Sequence, residues 1–344
     1  ESALPGRQDG LANQSYQLAT QLYRSGNNFL QMSLFYEDDD GRFPYQNKST
    51  SGVREFNASN LSRLALKGAG QGSHWRIDYN ALFGKQIQQI PGPTNFPLVT
   101  RQESDGILLS VAPHIFINDR NSLKTRISYM DNDSDFLESG AISFSNQTTA
   151  IIQNEWTFDI APKKHLQFFL DGFSHQLDNS FIGKGLTQNN VEAGTFVSLH
   201  SVDNLKHQLG GRYLFRNKVF LPSLSTHFYF LQLDSWLSYA EGFRNPTLTD
   251  LFANSPFFVG NPSLTAEVSK QVELGLKNQN TKQWIWDVRL FHMEYENFIE
   301  SFEQTPGVFS RENRGSGYSR GFDGELKYKV SFYKLGIIYN WLET

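Results

Sequence analysis

One feature constrains this chain more than any other: its apolar residues recur at every second position, in run after run. Tyr16, Leu18, Thr20 and Leu22 alternate with Gln17, Ala19 and Gln21. Leu123, Thr125, Ile127 and Tyr129 alternate with Lys124, Arg126 and Ser128. Trp284, Trp286, Val288 and Leu290 alternate with Ile285, Asp287 and Arg289, and Leu326, Tyr328 and Val330 with Glu325, Lys327 and Lys329. A period of two sends successive side chains to opposite faces of a strand, so each strand has one face suited to an apolar medium and one suited to water. Many runs are longer than the roughly 5–6 residues common in soluble sheets.

The connectors alternate as well. Short ones are read at 25–27, 68–73, 118–121, 161–164, 202–204, 231–234, 278–282 and 331–333, and longer ones at 38–52, 85–104, 131–145, 179–189 and 244–266. This rhythm predicts about 16 strands, with short turns at one end and long loops at the other, the asymmetry of an outer-membrane barrel. No stretch approaches the ~18 apolar residues of a transmembrane helix, but membrane strands carry only alternation as their signal. Composition fits a wall with a polar interior: only 39% of residues are hydrophobic, yet there are 29 Phe and 14 Tyr. Aromatics near the strand ends (Tyr23, Tyr36, Tyr129, Trp156, Trp236, Trp284, Tyr295 and Trp341) suit a girdle at the lipid interfaces. The net charge of -4 removes the broad electrostatic case for a nucleic-acid partner. With no cysteine, disulfide frameworks and Cys-based zinc sites are excluded.

Between Leu237 and Leu276 the pattern becomes specific. Phe243-Arg244-Asn245-Pro246 is followed by Asn261-Pro262-Ser263-Leu264, and then by Glu267, Ser269, Glu273 and Gly275 in a strand. Glu312-Asn313-Arg314-Gly315 and Gly321-Phe322-Asp323-Gly324-Glu325 come later. Together these resemble the barrel of TonB-dependent outer-membrane receptors of the siderophore and cobalamin type. Proline cannot donate to a ladder, so Pro246 and Pro262 mark strand boundaries, and Thr249 to Phe252 suit a short turn of helix. Glu267 and Glu273 fall on the polar face of the strand that carries Leu274. The motif either fixes the loop over the barrel rim or contacts ligand directly.

The resemblance implies an all-β, transmembrane antiparallel β-barrel, about 16 strands of a 22-stranded whole, occupying residues 1–344 as a partial barrel domain. It implies a preceding plug, further strands after Thr344, a TonB-type energy-coupling partner acting through that plug, and a small-molecule ligand such as an iron chelate or cobalamin. No histidine occurs between Pro246 and Asn261, which counts against haem. Phe43, Tyr45, Phe96, Arg244, Phe257 and Phe258 are the candidate ligand contacts on extracellular loops. Asp38, Asp39 and Asp40 are a candidate calcium site, because clustered carboxylates suit that cation, with Asp131, Asp133 and Asp135 as a similar cluster. Gly317-Tyr318-Ser319-Arg320-Gly321 matches a nucleophile elbow in letters only, since it lacks the strand-to-helix context that chemistry requires. The expectation is a transporter rather than an enzyme. The alternatives are a passive outer-membrane porin and a soluble all-β binding module.

Overall fold

The computed structural model describes residues 2–3, 13–41, 43–46, 51–54, 58–91, 99–138, 141–202, 204–230, 233–278, 283–330 and 333–344. In chain order its strands begin with β1 (Ser2–Ala3), β2 (Asn13–Ser25), β3 (Asn28–Asp39), β4 (Phe43–Gln46), β5 (Ser51–Arg54), β6 (Ser59–Gln71) and β7 (Trp75–Pro91). Next come β8 (Val99–Asn118), β9 (Asn121–Glu138), β10 (Ala141–Ala161), β11 (Lys164–Asn179), β12 (Gly183–Val202), β13 (Leu205–Leu214) and β14 (Val219–Phe230). After β15 (Leu233–Arg244), a helix α1 (Leu248–Phe252) precedes β16 (Phe258–Val259). The chain ends with β17 (Glu267–Asn278), β18 (Trp284–Thr305), β19 (Val308–Val330) and β20 (Tyr333–Glu343). Strands β1, β4 and β5 make a small sheet, and the other seventeen belong to a β-barrel. Sixteen of those are wall strands; the two-residue β16 pairs in parallel with β19.

The chain divides into two compact units. In the first, made of residues 1–116, 124–153 and 172–189, strands β2, β3, β6, β7 and β8 form an antiparallel meander. Its register aligns Leu18, Leu34, Leu64, Phe83 and Ile107 in one row. The second, made of residues 117–123, 154–171 and 190–344, has an equivalent row: Leu237, Leu274, Leu290, Phe322 and Trp341 on β15, β17, β18, β19 and β20. Cross-strand partners share a face, so these rows are continuous apolar stripes. They are also open to the surroundings, with Leu18 58% exposed and Leu290 48%. Among the described residues no large side chain is fully buried. A sheet that displays its leucines and encloses no apolar core needs lipid against that face.

Several strands run further than the alternation predicts. β7 and β8 cover most of 85–104, β9 and β10 most of 131–145, and only residues 180–182 separate β11 from β12. Residues 68–71, read as part of a turn, belong to β6. Apolar alternation ends where lipid ends, but the ladder continues in water through Ser, Thr, Asn and Gln, which keep the backbone groups paired. Two residues of the predicted girdle also face the other way. Trp236 pairs with Gly275 and donates from Nε1 to Glu273 Oε1 at 2.6 Å, on the polar face. Tyr295 pairs with Ser269 on that same face. Both were assigned by height along the strand, whereas the side is set by odd or even position.

Leu274→Arg tests the lipid-facing row. It should lower barrel stability by about 2–4 kcal/mol, the cost of a cation on the lipid face. Folding into lipid, read by heat-modifiable gel migration across a denaturant series, should show the loss, whereas Gln271→Arg on the opposite face should leave the midpoint close to wild type.

Candidate functional site: the β15–β17 connector

The residues between β15 and β17 fold into a fixed structure, and each motif position has a local reason. Asn245-Pro246 ends β15 because the proline has no N–H for the ladder. Thr247 caps α1: its Oγ1 accepts from Asp250 N at 3.1 Å, while Asp250 Oδ2 accepts from Thr247 N at 3.0 Å and from Thr247 Oγ1 at 2.7 Å. This reciprocal capping box satisfies the first free amides of the short helix. Leu248, Ala253 and Leu264 of the connector are all buried. At Gly260 a Cβ would lie 2.6 Å from the backbone nitrogens of Phe252 and Ala253, so only glycine permits this approach.

Side-chain bonds fasten the connector to β19. Asn261 donates from Nδ2 to Arg311 O at 2.9 Å and accepts at Oδ1 from Ser263 N at 3.0 Å. Asn313 Oδ1 accepts from Thr265 N at 2.8 Å, and its Nδ2 donates to Thr265 O at 3.0 Å and Asn297 O at 2.7 Å. β16 adds backbone pairing, Phe258 with Phe309 and Val259 with Ser310. Arg311 lies over the Phe258 ring at 5.6 Å, with its Nε 3.4 Å from Asp250 Oδ1.

The strongest interaction joins the connector's two ends. Arg244, the last residue of β15, donates from Nε and Nη2 to the two oxygens of Glu267, the first residue of β17, at 2.5 and 2.7 Å. Glu267 Oε1 also accepts from Ile299 N at 2.7 Å. The carboxylate is nearly enclosed, with 11% of its side chain exposed against 54% for Arg244. Its position lies past the outward-facing Lys270–Glu296 ion pair, which marks where the wall leaves lipid. Burial pushes the Glu267 carboxyl up, but the Arg244 guanidinium and the Ile299 amide together outweigh it and hold the group below its usual range. The same pairing raises Arg244.

The predicted ligand contacts thus separate. Arg244 and Phe258 are engaged within the connector. Phe257 is 73% exposed; its carbonyl accepts from Phe309 N at 2.9 Å and its amide donates to Ser255 Oγ at 3.4 Å, which leaves the ring outward. Phe43 and Tyr45 lie on β4, and Phe96 lies outside the described residues. Of the candidate calcium ligands, Asp38 and Asp39 end β3 on opposite faces of the strand, with Asp40 following, and Asp39 Oδ1 accepts from Gly41 N at 2.7 Å. Among the described residues no three such side chains converge on one metal position. Asp131, Asp133 and Asp135 stand on β9 rather than in a loop. Gly317 to Gly321 lie inside β19 with no helix after them. Glu273 is the acceptor for Trp236, and a Cβ on Gly275 would fall 2.0 Å from that indole. Asp250, Arg311 and Ile299 are partners the sequence reading did not select. The Thr-x-x-Asp spacing at 247–250 signals the first, whereas nothing local signals the other two.

Residues 3–344 match the family model described as TonB dependent receptor-like, β-barrel, and the chain belongs to that family. It is therefore an outer-membrane β-barrel, which replaces the soluble-module alternative. No curated protein matches the sequence. Solved structures of several outer-membrane receptors share the fold. The siderophore receptor PirA from Pseudomonas aeruginosa has 13% identity and a TM-score of 0.70, over 96% of this chain and 66% of that one. A double mutant of the Serratia marcescens hemophore receptor HasR, in complex with its hemophore HasA and heme, has 12% identity and a TM-score of 0.77, over 96% and 63%. The FrpB iron transporter from Neisseria meningitidis has 12% identity and a TM-score of 0.77, over 95% and 58%. The chain thus spans less than two thirds of the length of these neighbours. The family and these neighbours are receptors and transporters, not enzymes.

The depressed carboxyl gives a pH dependence. With its folded pKa below the unfolded value of about 4.3, Glu267 stabilises the connector fully above that value. The contribution is lost as pH falls through the folded pKa. Amide exchange at Ile299, corrected for intrinsic rate, should accelerate over that acid window. In Glu267→Gln the added acceleration should vanish, and an identical profile in the two proteins would refute the assignment.

Proposed function

We propose that this chain is the barrel domain of a TonB-dependent active transporter that takes up an iron chelate of the ferric-siderophore type. The observation that carries this reading is the family match across residues 3–344. On this reading the chain belongs to a longer receptor with a plug. Ligand captured on the extracellular side passes once an inner-membrane coupling partner rearranges that plug. Glu273, Arg289, Lys327, Lys329 and Arg126 are the wall residues proposed to hold the plug or line the passage. Three of them already carry polar-face pairs, Arg289 with Asp323 at 3.7 Å, Lys327 with Glu325 at 2.6 Å and Glu273 with the Trp236 indole at 2.6 Å. The iron-chelate class is supported by neighbours named for a siderophore, for iron and for a hemophore with heme. The exposed Phe257 ring supplies an apolar contact surface at the connector tip.

Equilibrium binding to the full-length receptor tests this with ferric siderophores, haem and cobalamin. A ferric siderophore should bind, and Phe257→Ala should weaken that binding about tenfold, as expected when a ligand-contacting aromatic is truncated. Binding of cobalamin or haem alone would overturn the substrate class.

A further inference from the structure

The β18–β19 hairpin contains a break that the wall does not need. Glu296 pairs with Ser316 and Phe298 with Arg314, so the register is unchanged across the interval and neither strand gains a residue. Asn297 and Gly315 are left opposite one another with no ladder pair between them. Both are left-handed, at φ +57° and +48°. Asparagine and glycine are the residues that adopt this conformation at least cost. A Cβ at Gly315 would meet nothing within 4 Å, so packing does not demand glycine there; the backbone angle does. Two facing left-handed residues interrupt the ladder at one level and divide the hairpin into a wall segment below and an extension, Phe298 to Arg314, above.

That extension is bonded chiefly to the β15–β17 connector. The Phe258–Phe309 and Val259–Ser310 pairing, the Asn261 bond to Arg311 O, the reciprocal Asn313–Thr265 bonds and the Arg311–Asp250 contact all join the two pieces. The body is tied to the wall beneath by the Asn217 Nδ2 bond to Asn245 Oδ1 at 3.0 Å, by the Asn313 Nδ2 bond to Asn297 O, and by the Glu267 carboxylate, which reaches across the break to Ile299 N, two residues beyond Asn297, while Arg244 holds it in place.

We propose that the connector, residues 245–266, and the hairpin extension, residues 298–314, form a single strap. It hinges at the Asn297/Gly315 pair, and Glu267 is the latch that keeps it closed. The proposal does not depend on the identity of the ligand. Arg244 is a positioning residue in this scheme: it neutralises and orients the carboxylate that makes the cross-hinge bond. Breaking the latch should loosen both pieces together and leave the ladder below the hinge intact.

Hydrogen–deuterium exchange on the full-length receptor in lipid tests this. Glu267→Gln should speed exchange in 245–266 and 298–314 together, by about tenfold or more for loss of a charge-assisted bond. Residues 284–296 should keep the wild-type rate. Arg244→Gln should move the same two segments in the same direction, and it keeps the test open should the first variant fail to insert. Heat-modifiable migration confirms that each variant retains its barrel. Unchanged exchange in both segments would overturn the proposal. So would loosening of the extension without the connector, or an equal rise across 284–296, which would mean that Glu267 merely supports the wall.

Discussion

Lipid offers no hydrogen bonds, and that single constraint organises the molecule. Every backbone N–H and C=O at membrane depth must find its partner in a neighbouring strand, because an unpaired group there costs several kcal/mol. The ladder is therefore obligatory, and side chains are left to decide which face meets which medium. The rows from Leu18 to Ile107 and from Leu237 to Trp341 are the outcome. Apolar residues cover the outside, where a soluble protein would bury them, and so the hydrophobic share of the composition stays low.

The same constraint explains the chemistry of the connector. A barrel wall has no enclosed apolar core against which a segment beyond the lipid can pack. The connector buries Leu248, Ala253 and Leu264 and holds itself with directed polar bonds. Enclosed carboxylates are tolerable there because each is over-supplied with donors. Asp250 takes the Thr247 amide and hydroxyl, and Glu267 takes a two-pronged guanidinium and an amide. Removing a partner leaves a desolvated charge, and that asymmetry makes such bonds stiff.

The wall was legible in the sequence because its signal is periodic and local. Pro246 and Pro262 marked their boundaries for the same kind of reason, since a missing N–H can be read from one residue. Strand ends were less legible: polar stretches such as Asp131 to Glu138 pair as well as apolar ones but carry no alternation to announce it. The direction of Trp236 depended on register, which a hydrophobic pattern fixes only when odd and even positions are counted through the whole strand. The amide partner of Glu267 was beyond reach in sequence, although Arg244 stood in the same motif. Ile299 lies 32 residues away and contributes only a backbone amide, which every residue but proline possesses.

The family motif on β17 becomes intelligible once its positions are counted. Glu267, Ser269, Glu273 and Gly275 are all odd-numbered, so all four stand on the polar face, while Val272, Leu274 and Leu276 stand toward lipid. Glu267 closes the connector. Ser269 faces Gly242, where a Cβ would come within 2.5 Å of its hydroxyl. Gly275 leaves the space that the Trp236 indole fills, and Glu273 accepts the indole N–H that would otherwise lack a partner on this face. The motif is thus a set of fits between β17 and β15, made one position at a time along a single face. The exposed ring of Phe257, at the tip of the connector, stands outside these fits.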